Sequence, residues 1–90
     1  MAIKPSVIQG LRNYVDHGIP PGSFLRAVLE NNLVKAFACA DDENTLSMHE
    51  IVKYCYNELP HICWGSPEKV ENWMEKKRLE RLRDEFNHQS

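Results

Sequence analysis

The stretch GIPPGSFL, residues 18–25, decides how the rest of the chain is read. Pro20 pushes Ile19 toward extended geometry and Pro21 does the same to Pro20, so no helix crosses this point. Upstream, Ser6 and Gln9 have capping-box spacing, and Val7, Ile8, Leu11, Tyr14 and Val15 recur at intervals of three and four. That pattern predicts a helix from about Ser6 to His17, with Gly18 at the left-handed position beyond its end. Downstream, Ser23 is placed to cap a second helix whose apolar side is Phe24, Leu25, Val28, Leu29, Leu33, Phe37 and Cys39.

Further along, ENN at 30–32 leaves open whether residues 23–40 form one helix or two, because Asn competes with the backbone for hydrogen bonds. ADDEN at 40–44 is an acidic turn suited to a helix start. A helix from about Asn44 to Glu58 is predicted, with Met48, Ile51, Val52, Cys55 and Leu59 on one face, ended by Pro60. After the loop HICWG, Ser66 and Pro67 read as N-cap and first residue of a last helix running to about Asn87. Val70, Trp73 and Met74 are its expected core contacts. Beyond them Leu79, Leu82 and Phe86 form a narrow stripe in a charged surround, the pattern of a helix that packs on one partner. The expected fold is all-α: one domain over residues 1–90, a compact bundle of four to five helices with a long charged C-terminal helix.

Composition narrows the function classes. Hydrophobic residues make up 42% and charged residues 27% of the 90, as in ordinary globular domains. A net charge of −2 argues against nucleic-acid binding, which needs a surplus of cations to displace counterions. The basic cluster Lys76, Lys77, Arg78, Arg81 and Arg83 is interleaved with Glu75, Glu80, Asp84 and Glu85, as on a solvated salt-bridged helix. No stretch reaches the roughly 20 apolar residues of a membrane span, and the N-terminus lacks a secretory pattern. A cytoplasmic protein with no membrane partner is expected. Cys39, Cys55 and Cys63 cannot all pair within one chain, so reduced thiols are expected.

Few residues suggest chemistry. His49, Cys55, His61 and Cys63 are metal-ligand types without metal-ligand spacing; HEIVK has Lys53 where a second His would be needed. No metal and no cofactor is expected. Cys63 with His61 is the candidate thiol–base pair, but a separation of two residues turns the side chains apart. No catalytic residue is assigned.

Two segments carry the binding expectation. In PPGSFLR, Gly22 and Ser23 open a helix whose free amides and dipole suit phosphate, Phe24 follows, and Arg26 lies one turn in. In CWGSPEKV, Ser66 opens a helix, Lys69 lies in its first turn and Trp64 offers a stacking surface for a base. The expected ligand-binding residues are therefore Gly22, Ser23, Phe24, Arg26, Trp64, Ser66 and Lys69. Each segment also has a purely structural reading: a stiff joint for the first, an aromatic staple with a serine cap for the second.

The segments HGIPPGSFLRAVLENNL, AFACADDEN, IVKYCYNELP and CWGSPEKVENW, taken together, resemble a family of small single-domain proteins encoded by bacteriophages and prophages. The resemblance spans Leu11 to Trp73 and brings no assigned activity and no site residues. It implies an accessory protein acting in the bacterial cytoplasm, in a counter-defence role. Joined to the residue reading, it suggests a non-enzymatic homo-oligomer that sequesters a nucleotide-type or other phosphate-bearing host signal. The alternative is an interaction module that inhibits a host protein through the stripe of Leu79, Leu82 and Phe86.

Overall fold

The computed structural model describes residues 3–88, with side-chain surroundings through Glu85; Phe86 therefore lies outside the described side chains. Six α-helices and one 3-10 turn follow in order: α1 (Pro5–His17), α2 (Ser23–Leu29), α3 (Leu33–Cys39), α4 (Asp42–Leu46), α5 (Met48–Glu58), the turn His61–Cys63, and α6 (Pro67–His88). Among the described residues there is no strand, and the fold is all-α. α1 begins at Pro5, one residue before the expected Ser6, because proline fits the first helical position, where no amide hydrogen is needed. It ends as the sequence predicts. Gly18 has φ 68° and its N–H donates to the Tyr14 carbonyl at 2.8 Å.

The helix count reaches six because two expected segments divide. Asn31 takes φ 62°, which asparagine tolerates better than most residues, and the Asn32 N–H reaches back to the Ala27 carbonyl at 2.8 Å. The Asn32 side chain then accepts from the Lys35 N–H at 3.1 Å and caps α3. ENN is thus a complete stop-and-start signal. Further on, Asp41 accepts from the Asn44 N–H at 2.8 Å and is paired with Lys4, so helix begins at Asp42 and not at Asn44. Ser47 then separates α4 from α5.

The core forms where α1, α2 and α5 meet the first turns of α6. Leu11, Tyr14, Leu29, Ile51, Cys55, Cys63 and Val70 are fully buried. Two long-range hydrogen bonds tie it together. The Tyr14 hydroxyl donates to the Cys63 carbonyl at 2.6 Å, and burial holds this phenol above its usual range. The Trp73 indole N–H is shared between the Tyr14 and Val15 carbonyls at 3.3 and 3.2 Å. Val70 and Trp73 are buried and Met74 packs against them, as expected.

The expected apolar faces of the middle helices are only partly used. α3 rests on α2 and buries Ala36, whereas Leu33, Phe37, Cys39 and, on α5, Val52 lie exposed. Seven-residue helices have room for one buried stripe, and α2 takes the better share with four buried residues. At the other end of the chain, Leu79 and Leu82 on α6 are about half exposed.

Candidate functional site

The loop before α6 is held at both ends. Trp64 is half-buried against the core, and the Gly65 N–H donates to the Leu29 carbonyl at 2.6 Å, fastening the loop to the end of α2. Gly65 has φ 113°, a backbone conformation that a side chain strongly disfavours. Ser66 accepts from the Lys69 N–H at 3.2 Å, the N-cap bond predicted from the sequence. The Lys69 side chain arches back over the loop: its Nζ lies 3.8 Å from where a Cβ on Gly65 would sit.

Trp64, Gly65 and Lys69 line a shallow cleft of about 250 Å³ together with Asn31, Tyr56 and His61. The Tyr56 and His61 rings stand 6.0 Å apart at 40°. No described ion pair involves Lys69. The cleft therefore offers three aromatic surfaces beside an ammonium that no described carboxylate neutralises.

Tyr56, His61 and Asn31 are additions that sequence reasoning did not supply. His61 lies three residues before Trp64 and was visible as a neighbour. Tyr56 reaches the cleft from α5, and nothing in the linear order marks that approach.

The first segment is built differently. Gly22, not Ser23, is the N-cap of α2, in extended geometry with no side-chain cap, and Ser23 is the exposed first helical residue. Phe24 is half-buried against the core. Arg26 Nε donates to Glu30 Oε2 at 2.8 Å, and its Nη2 pairs with Glu71. Bonding to Glu30, then to Glu71, raises the Arg26 pKa, and the two carboxylates take up the donors a phosphate would need. Moreover, the Trp64 loop joins α2 at Leu29, while Ser23 lies at its opposite end, about 9 Å away along the axis at 1.5 Å per residue. The structure brings Trp64, Ser66 and Lys69 together and leaves Gly22, Ser23, Phe24 and Arg26 outside their cleft.

The thiols sit in apolar surroundings. Burial pushes Cys55 up to about 12 and Cys63 up to about 11, and the Cys63 Sγ–H donates to the Pro60 carbonyl at 3.1 Å. At neutral pH both are protonated, so neither is an activated nucleophile. His61 faces Tyr56. Among the described residues, no three His, Cys, Asp or Glu side chains gather in a group able to hold a metal ion. No described helix is long and apolar enough to cross a membrane.

Comparison with protein-family models, curated proteins and solved structures returns no match to this chain.

Proposed function

We propose that this chain is a non-enzymatic binding protein whose site is the cleft of Trp64, Tyr56, His61 and Lys69, and that it takes a planar base carrying a phosphate. The observation that carries the reading is the placement of an ammonium with no ion-pair partner among the described residues beside three aromatic rings in one cleft. The base stacks on Trp64, which is already held against the core and loses little freedom on binding. Lys69 meets the phosphate as a mobile point charge. Sequestering a nucleotide-type signal, in the accessory counter-defence setting that the sequence resemblance implies, is the role this chemistry supports.

Magnitudes limit the affinity. One stacked base contributes roughly 1–3 kcal/mol, and one charge-assisted hydrogen bond about 1.5–3 kcal/mol. The open cleft of one chain thus supports a Kd between about 15 mM and some tens of μM. Titration of the full chain with adenosine, guanosine, cytidine and uridine 5′-monophosphates, followed by tryptophan fluorescence, tests the proposal. Saturable quenching is expected, with Lys69→Ala weakening it by about tenfold, the effect of one such bond. No saturable response to any of the four, or equal affinity in Lys69→Ala, would overturn it.

A further inference from the structure

The turn between α2 and α3 meets the cleft at Asn31. Its backbone is pinned: φ is 62°, its N–H donates to the Val28 carbonyl at 3.1 Å, and the following N–H, of Asn32, donates to the Ala27 carbonyl at 2.8 Å. The end of α2 just before this turn also holds the Trp64 loop, since the Leu29 carbonyl accepts from the Gly65 N–H at 2.6 Å. Asn31 and Trp64 line the cleft together, and together they line the small apolar pit beside it. Lys69, Tyr56 and His61 line the cleft alone. The cleft thus has two ends: an indole and a carboxamide where it borders the pit, and an ammonium where it does not.

The Asn31 side chain is exposed and uncommitted. No described hydrogen bond uses its carboxamide, whereas that of Asn32 is taken by the Lys35 N–H. The backbone does not need it, because glycine reaches a positive φ more readily than asparagine. A carboxamide presents an acceptor and a donor side by side, and it pairs at two points with a base edge that presents the reverse order. Adenine has such an edge twice, because its 6-amino group lies between two accepting ring nitrogens, N7 and N1. Guanine has it once, its other edge being the two acceptors O6 and N7. Pyrimidines offer the indole a smaller face to stack on.

We infer that Asn31 is the base-reading residue of the cleft and that the ligand is an adenine nucleotide. The base lies on Trp64 with its 6-amino edge against the Asn31 carboxamide, and the phosphate lies at Lys69. The assignment rests on the cleft being a nucleotide site and adds to it the identity of the base. Both contacts at the base end are held in place by the backbone before the ligand arrives, so little freedom is lost on binding.

The test compares adenosine 5′-monophosphate with purine riboside 5′-monophosphate, which has the same ring system and phosphate but hydrogen in place of the 6-amino group. Both are titrated against the full chain and followed by tryptophan fluorescence. The adenosine compound is expected to bind at least about fivefold tighter, the lower end for a two-point contact to a base edge. It is also expected to bind most tightly of the four common nucleoside monophosphates. Asn31→Gly keeps the positive φ and removes only the carboxamide. In that variant the two purine ligands are expected to bind alike, with an unchanged thermal midpoint showing that the fold is kept. Equal affinities in the wild-type chain, or a gap that persists in Asn31→Gly, would overturn the role of Asn31 while the cleft remained a nucleotide site. Tighter binding of guanosine, cytidine or uridine monophosphate would overturn the choice of adenine. Saturable binding of none of these ligands would overturn the nucleotide site and this inference together.

Discussion

Gly22-Ser23 and Gly65-Ser66 look like one device used twice: a glycine and a serine opening a helix, with a basic residue in its first turn. The structure uses them in opposite ways. At the first, glycine is the cap in ordinary extended geometry, serine caps nothing, and the arginine is taken up by two carboxylates. At the second, glycine adopts φ 113°, serine makes the cap bond, and the lysine hangs over a cleft without a described acidic partner. What separates them is tertiary company. The first start sends its arginine to Glu30, just past the end of α2, and to Glu71 on α6, and serves as a joint. The second is fastened by Tyr14 and Leu29 against the buried thiols and is shaped into a concavity.

Alkaline titration should expose that difference most strongly, because the second loop and the helix beneath it carry Cys63 and Cys55. Their thiols lose protons near pH 9 in the unfolded chain, whereas in the folded chain they hold them to about 11 and about 12. The folded state thus binds more protons in this window. Stability is complete below pH 9 and is lost as pH rises toward 12, on the order of 1 kcal/mol per pH unit for each thiol. Urea melts from pH 8 to 11 check this, and Cys55→Ala should flatten the slope while lowering stability at neutral pH. An unchanged slope in that variant would remove the thiol from the account.

Next in size is Gly65→Ala, expected to cost about 1–3 kcal/mol for forcing a side chain into φ 113°. Gly22→Ala should stay within about 0.5 kcal/mol, because a Cβ there meets nothing within 4 Å. Comparable losses in the two, read from thermal midpoints, would erase the contrast. Tyr14→Phe should cost about 1–2 kcal/mol by leaving the Cys63 carbonyl without its donor. Smaller again, Ser66→Ala should cost about 1 kcal/mol and Ser23→Ala about half that or less, since only Ser66 makes the cap bond. Smallest is Lys69→Ala: a thermal midpoint unchanged within error is expected, so that any loss of nucleotide response belongs to the cleft and not to the fold.

The all-α class, the break at the prolines, the left-handed Gly18 and the Ser66-Pro67 start were all legible in sequence. Each rests on local backbone chemistry confined to a few neighbouring residues. The asparagine break and the division at Ser47 were half legible. Asn31 and Asn32 offered both a stop and a start, but their use depended on α3 turning back onto α2. The partition of the site was illegible. Nothing near Arg26 in the chain announces Glu71, which is 45 residues away, and nothing near Trp64 announces Tyr56 arriving from another helix. Likewise the apolar positions of α3 looked like core by their spacing. They are exposed because α2 already covers that side of the core, a competition between segments that no window of sequence contains.

The two tryptophans also make the molecule its own optical instrument. Trp73 is buried, its indole N–H held by two carbonyls and its ring flanked by the ammonium groups of Lys76 and Lys77, each 5.1 Å from the centroid. Trp64 stands half-open at the cleft, one face against the core. Replacing Trp64 by Phe leaves an emitter whose colour follows the opening of the core. Replacing Trp73 by Phe leaves one at the mouth of the cleft, where the proposed base would quench it. Folding and occupancy can then be followed in one cuvette, without a label, as separate signals.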